Sequence, residues 1–265
     1  LNKIYYNIIM LKTNFTKKLI DFGKELSEEI VKIQNSNFEV SSKSDKSPLT
    51  EADLYSNKEI KKFLNENSDI KNFISEEDKE IPFEVRKDWN LYWVIDPIDG
   101  TKEFVKGGDD FCVNIALCEG NSPIFGCVLQ PKTKDCYHAF KGKGAFKNNK
   151  KIKTKPQSKP LRVVASKSHL NNDTKDFLNV LSNELEYELE VVNIGSSLKF
   201  CLIAEGLADV YPRFGPTMEW DSCAPHIIVT ESGAEIYNVD TNDQNFFYNK
   251  ENLLNPFFVV TNQLL

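Results

Sequence analysis

The chain has 265 residues, 40% of them hydrophobic and 27% charged, with a formal net charge of −6. This is the balance of a globular protein with room for one large core or two intimate lobes, and its negative sign argues against a nucleic-acid surface. No apolar run approaches the ~20 residues of a membrane span. The six cysteines show no CxxC or zinc spacing, so they read as reduced and buried in a cytosolic protein.

Residues 1–9 hold one lysine and a broken apolar run without a small-residue cleavage site, which does not match a signal peptide. Met10 stands just before an amphipathic pattern, so the natural start is expected near it, with 1–9 as an upstream extension. Phe15, Leu19, Phe22, Leu26, Ile30 and Ile33 recur at spacings of three and four, predicting a helix over roughly 12–34. A polar loop containing Asp45 leads to a second helix near 50–66, where Thr50 and Asp53 fit a capping box. Phe73-Ile74 precede Ser75-Glu76-Glu77, which is either a short strand topped by carboxylates or a solvated acidic loop. Leu91 to Ile95 predicts a buried strand that stops at Asp96-Pro97, with a helix starting near Thr101. Strand-like runs follow at 111–118 and 124–130, and two short strands between 135 and 146. The lysine-rich stretch 147–160 reads as a solvated loop and as the boundary between two lobes, 1–150 and 151–265. Beyond it the pattern predicts strands at 161–165, 188–194, 207–211, 234–237 and 257–261, and helices at 173–184, 196–205 and 221–230. Alternation without repeats gives α+β as the first class and α/β as the second.

The segment LYWVIDPIDGTKEF (91–104) carries the most chemistry. Asp96 and Asp99 lie three residues apart on one turn, where they repel unless a cation sits between them. Pro97 holds Asp96 extended, Gly100 permits a sharp turn, and a helix beginning at Thr101 would present N–H groups to a phosphate. Metal-assisted handling of a phosphate fits these features together. Each also has a structural explanation. Asp-Pro and Asp-Gly are common turn dipeptides. Asp221 sits where an N-cap belongs before an apolar helix, although Trp220 would bury the junction and a buried carboxylate wants a partner. Ser196 could be a helix cap and His169 a polar turn residue. Only three histidines are present, which speaks against a histidine-based phosphatase.

The set T-x-x-D (Thr50, Asp53), S-E-E (75–77), D-P-I-D-G-T (96–101) and W-D-x-x-A-P (220–225) resembles the inositol monophosphatase superfamily of magnesium-dependent, lithium-sensitive phosphatases. The order and intervals match across nearly the whole chain after the first ten residues. YWVIDPIDGTKEF, FCVNIAL, ASKSH (165–169), the 194–221 segment and LNPFF are similar to the CysQ-type 3′(2′),5′-bisphosphate nucleotidase branch. The resemblance implies a layered αβαβα sandwich and two or three Mg²⁺ ions. By position, Glu76, Asp96, Asp99, Asp221 and the Ile98 carbonyl would be metal ligands, and Glu77 would support them from behind. Asp53 and Thr101 would orient and deprotonate the attacking water. Substrate contacts are expected at Gly100, Thr101, Ser166, His169, Ser196, Lys199 and Asp221, and at Arg213, which could meet either the base or the remaining phosphate.

The implied activity is hydrolysis of adenosine 3′,5′-bisphosphate to AMP and phosphate, extending to 3′-phosphoadenosine 5′-phosphosulfate and clearing a by-product of sulfate assimilation. The alternatives are an inositol or sugar monophosphatase of the same fold, or a non-enzymatic phosphate-ligand sensor. The expected partner is a small nucleotide and no nucleic acid, in a monomer or homodimer. The expected location is the cytoplasm, with loose association at the inner face of the membrane.

Overall fold

The structure, a computed structural model, describes residues 14–42, 48–165, 171–184, 186–241 and 243–262. Residues 1–10, Asp45, Ser166 and His169, for which the sequence raised expectations, lie outside that set. Helix α1 (Thr16–Gln34) buries Leu19, Leu26 and Ile30 on the face its spacing predicts. The short hairpin β1 (Val40–Ser42) and β2 (Pro48–Thr50) leads into α2 (Glu51–Asn67). Helices α1 and α2 are clasped by the stacked rings of Phe22 and Phe63, 4.4 Å between centroids.

A seven-stranded sheet follows: β3 (Phe73–Ser75), β4 (Leu91–Asp99), β5 (Cys112–Glu119), β6 (Ser122–Gln130), β7 (Asp135–Phe140), β8 (Gly144–Lys147) and β9 (Lys150–Ile152), neighbours in that order. Two short helices interrupt it, α3 (Phe83–Arg86) and α4 (Thr101–Val105). The second sheet contains β10 (Leu161–Ala165), β11 (Leu189–Asn193), β12 (Val210–Arg213), β13 (Glu235–Asn238) and β14 (Phe258–Thr261), in the spatial order β11-β10-β12-β14-β13. Its helices are α5 (Asn172–Asn179), α6 (Leu198–Ala204) and α7 (Glu219–Ser232).

Alternation along β4 shows how the layers stack. Trp93 and Ile95 point into one core with Leu19, Ile30 and Phe63, whereas Tyr92 and Val94 point into a second core with Phe200, Cys223 and Ile228. A third cluster, Leu161, Val163, Val210 and Val259, takes Phe177 of α5 on its outer side. The layers therefore run α1/α2, large sheet, α6/α7, small sheet, α5: an αβαβα sandwich. Helix α7 crosses the large sheet at Gly126, where an added Cβ would sit 2.2 Å from the Ala224 carbonyl oxygen. All six cysteines are buried and free. No helix among the described residues is long and apolar enough to cross a membrane.

Several boundaries differ from the sequence pattern. Strand β4 does not stop at Ile95 but continues to Asp99 through a bulge, with Asp96 opposite Asn114 and Asp99 opposite Cys112. Pro97, which has no N–H to give, sits inside that irregularity. The lysine-rich stretch is not all loop, because Asn148 and Asn149 take positive φ and turn the chain into β9. The helix expected over 173–184 ends at Asn179 and finishes in a π-helical turn, Val180–Glu184.

Candidate metal-dependent active site

The parallel pair β3–β4 brings the acidic segments together. Ser75 lies opposite Ile95, and the Glu76 N–H donates to the Ile95 carbonyl at 3.2 Å, so Glu76 leaves β3 beside Asp96. One face of α2 fixes this arrangement. Ser56 donates to the Pro97 carbonyl at 3.0 Å, Asn57 accepts from Ser75 at 2.8 Å and donates to Asp78 at 3.1 Å, and Lys61 pairs with Asp78. Asp53 lies one turn earlier on that face, buried, its Oδ2 accepting the Thr50 N–H at 2.8 Å and the Thr50 hydroxyl at 2.5 Å. The capping box therefore forms, and it immobilises the carboxylate beside the β4 turn. Glu77 follows Glu76, half-buried.

Asp96 is 1% exposed and accepts the Ile98 N–H at 3.1 Å. Gly100 has φ +91°, and a Cβ there would meet the Asp110 carbonyl oxygen at 2.9 Å; one on Gly195 would meet the same oxygen at 2.6 Å. The β4–α4 and β11–α6 turns thus pack against a single carbonyl, and no side chain fits at either position. Thr101 donates to the Ile98 carbonyl at 3.0 Å. That oxygen has a second lone pair, so the bond does not remove Ile98 from the ligand set.

Asp96, Asp99 and Asp221 each bring a carboxylate oxygen within 4.8 Å of the others. Asp221 is not the N-cap of its helix: α7 starts at Glu219, and Asp221, in its first turn, accepts the Met218 N–H at 2.8 Å. The cluster is electrostatically strained. Burial, then the charges of Glu76, Asp99 and Asp221, hold the Asp96 carboxyl well above the usual range. Burial and the charges of Asp99 and Glu76 push Asp221 up to about 8, against the pull of the Met218 N–H and Arg213. Burial is the larger cause of these shifts, and the repulsion added to it is what a divalent cation would relieve. The donors are all oxygens, which suits Mg²⁺ rather than a softer metal.

Two residues that the sequence did not single out complete the cluster. Ser197 gives its N–H to Asp99 Oδ2 at 2.5 Å, and its hydroxyl lies 2.5 Å from that oxygen and 2.6 Å from the Asp221 carbonyl, its one proton serving either. Asn114 donates to Ser197 Oγ at 3.0 Å and approaches Asp99 Oδ2 at 3.4 Å. The available signal was Asn114 itself, a lone amide inside the apolar run FCVNIAL.

Beyond the carboxylates opens a cleft of about 350 Å³ whose far wall includes Ser196, Lys199, Tyr211 and Arg213. Helix α6 starts at Leu198, because Ser196 takes φ +51° and cannot be its first residue. Helices α4 and α6 have only five and seven residues, so anion binding here falls to side chains more than to helix dipoles. Lys199, expected from the sequence as a substrate contact, is 5% exposed. Its ammonium donates to the Ser196 carbonyl at 2.7 Å and lies 5.4 Å from the Tyr211 ring centre. Burial lowers its pKa to about 8, with Asp99 opposing and Arg213 adding to the shift. Arg213 donates to the Pro216 carbonyl at 2.9 Å, and its buried Nε has no acceptor among the described residues. A second cavity of about 420 Å³ shares Lys102, Tyr211 and Arg213 with the first and extends to Phe214 and Thr174.

The model of the inositol monophosphatase family matches residues 11–260. The 3′(2′),5′-bisphosphate nucleotidase CysQ of Salmonella typhimurium is 42% identical over 228 residues, 84% of this chain and 89% of that protein. The crystal structure of CysQ from Bacteroides thetaiotaomicron, a bacterial member of the inositol monophosphatase family, superposes with a TM-score of 0.82 at 35% identity, covering 96% of this chain and 99% of the other. A structure of an IMPase/NADP phosphatase complexed with Mg²⁺ and phosphate shares the fold, with a TM-score of 0.78 at 20% identity over 94% of this chain and 91% of the other. The layered sandwich, the carboxylate cluster at the end of β4 and the length of the match all agree, and the chain belongs to the inositol monophosphatase family.

Proposed function

We propose that this protein is a magnesium-dependent 3′(2′),5′-bisphosphate nucleotidase that removes the 3′-phosphate of adenosine 3′,5′-bisphosphate, giving AMP and phosphate. The observation that carries this reading is the meeting of the Asp96–Asp99–Asp221 cluster with a cleft walled by Lys199 and Arg213. The first is a seat for cations that bind a phosphate under attack, and the second supplies charge for another phosphate on the same substrate. CysQ relatives of 40–42% identity support the same substrate class.

Glu76, Asp96, Asp99, Asp221 and the Ile98 carbonyl would hold two or three Mg²⁺ ions, with Glu77 behind them. When bound, magnesium lowers the pKa of the attacking water and neutralises the leaving oxygen. Thr101 and Asp53 orient that water and take its proton; the Thr50 contacts keep Asp53 pointed for the task. Ser197 and Asn114 hold Asp99 in one rotamer. Gly100, Ser196, Lys199 and Arg213 line the path of the nucleotide, together with Ser166 and His169, which lie outside the described residues. The adjacent cavities, which share Lys102, Tyr211 and Arg213, would give room for the longer 3′-phosphoadenosine 5′-phosphosulfate, in keeping with a role in sulfur metabolism.

In this reading the lobe 1–150 carries most metal ligands and 151–265 the nucleotide contacts and the last ligand, in a monomer or homodimer. Lys141, Lys143, Lys150 and Lys151 on the exposed β8–β9 side are the feature that would favour loose contact with an anionic membrane face in the cytoplasm. The test is phosphate release from adenosine 3′,5′-bisphosphate, inositol 1-phosphate and fructose 1,6-bisphosphate, each with Mg²⁺ and with chelator. Preference for the adenosine substrate only when Mg²⁺ is present is the expected result. A preference for either sugar phosphate would replace the nucleotidase reading, and turnover in chelator would remove the metal.

A further inference from the structure

Glu76 and the start of α7 face each other across a cavity of about 200 Å³, lined also by Arg86, Met218, Trp220 and Leu253. The Glu76 loop therefore does not pack directly against the start of α7, and direct contact does not set the distance between them. A buried polar relay at the edge of that cavity does. Arg86, 1% exposed, donates to the Ile81 carbonyl at 3.2 Å, tying down the loop that follows Glu76. It also donates to Asn249 Oδ1 at 2.8 Å, and Asn249 Nδ2 returns a bond to the Arg86 carbonyl at 2.7 Å. The N–H groups of Asn249 and Lys250 donate to the two carboxylate oxygens of Glu219 at 2.6 and 3.0 Å, and the Lys250 ammonium adds a third bond at 2.6 Å. Glu219 is fully buried and stands two residues before Asp221, while its own N–H is held by the Leu253 carbonyl at 2.9 Å.

We propose that Arg86, Asn249 and Glu219 are positioning residues that set the gap between the Glu76 loop and the Asp221 helix, and so the affinity of the site for divalent cations. This rests on the metal-site reading above. A buried guanidinium and a buried carboxylate bridged by an amide form a costly arrangement, and apolar side chains of similar size would stabilise the fold at least as well. What the polar version supplies is direction and length: hydrogen bonds weaken steeply with distance and angle, whereas apolar contacts slide. Asn249 also holds φ +62°, a conformation that asparagine tolerates better than most residues, so its amide is aimed by the backbone itself.

The test is a Mn²⁺ titration followed by electron paramagnetic resonance on the full chain without substrate, for wild type, Glu219→Gln and Asn249→Gly. Glycine keeps the left-handed backbone and deletes both bonds to Arg86. Groups that orient metal ligands are typically worth 10- to 100-fold in metal affinity, so Mn²⁺ should bind at least ~10-fold more weakly to both variants, with turnover recovering at high metal. Wild-type affinity in the variants, with or without a lower melting temperature, would overturn the proposal and leave the metal site standing. No Mn²⁺ binding by wild type would overturn both. If Glu219→Gln fails to fold, Asn249→Gly decides alone.

Discussion

Replacing Lys199 by Met removes one positive charge from the cleft and keeps nearly the same length and volume. Among the described residues the ammonium has one hydrogen-bond acceptor, the Ser196 carbonyl at 2.7 Å, and one aromatic face, Tyr211. Two of its three N–H groups thus have no oxygen partner there and can serve a phosphate. With its pKa lowered to about 8 it remains mostly charged at pH 7. A hydrogen bond between charged groups contributes ~1.5–3 kcal/mol, so its loss should raise KM for adenosine 3′,5′-bisphosphate roughly 10- to 100-fold. The contact lies away from the bond being broken and is felt equally by substrate and transition state, so kcat should change little. Folding should not suffer, because burying an ammonium is unfavourable and Met fills the space. Initial rates on adenosine 3′,5′-bisphosphate and on adenosine 3′-monophosphate form the assay. The second substrate lacks the other phosphate and should be turned over by variant and wild type alike. An equal rise in KM for both substrates would refute the assignment of Lys199 to the second phosphate.

Asp99→Asn should lower kcat at saturating Mg²⁺ on the order of a hundredfold or more, while the melting temperature in chelator rises because repulsion with Asp96 and Asp221 is relieved; near-normal turnover would strike Asp99 from the ligands. Li⁺, close to Mg²⁺ in size with half its charge, should inhibit far more than K⁺ and uncompetitively in substrate, whereas equal inhibition by the two salts would indicate ionic strength alone. His226, part-buried against Phe246 and Tyr248 with its Nδ1 2.9 Å from the Tyr248 hydroxyl, has its pKa lowered by burial to about 4. The unfolded chain binds this proton more readily, so the stability it gives is complete above pH ~6.5 and is lost as pH falls towards 4, about 2 kcal/mol by pH 5. Urea unfolding of wild type and His226→Gln at pH 7 and pH 5 should show that difference; parallel pH dependence in both would rule it out.

The helix periodicity of α1, the apolar run that opens β4 and the order of carboxylates along the chain are local, and they could be read directly from the residues. What escaped depends on partners distant in sequence. Lys199 reads as a substrate contact but not as a buried one, because Tyr211 on β12 covers it. The role of Ser197 is hidden because Ser196 turns into the left-handed region and leaves its neighbour facing Asp99. Asp221 fits an N-cap by sequence, but the cap is Met218, three residues earlier, which also bridges to Leu254. The extra strand β9 was masked by lysines, which read as solvent-facing loop but also suit an edge strand, where they discourage further pairing.

The notch at Gly126 has a thermodynamic consequence. With the Ala224 carbonyl seated where a side chain would stand, α7 can neither slide along the large sheet nor lift from it without opening a void in a close-packed layer. Asp221 is carried on that helix and Asp96 on that sheet, so their separation is established when the chain folds, before any ion arrives. Cation capture then spends little on reordering protein, and its heat-capacity change should be small.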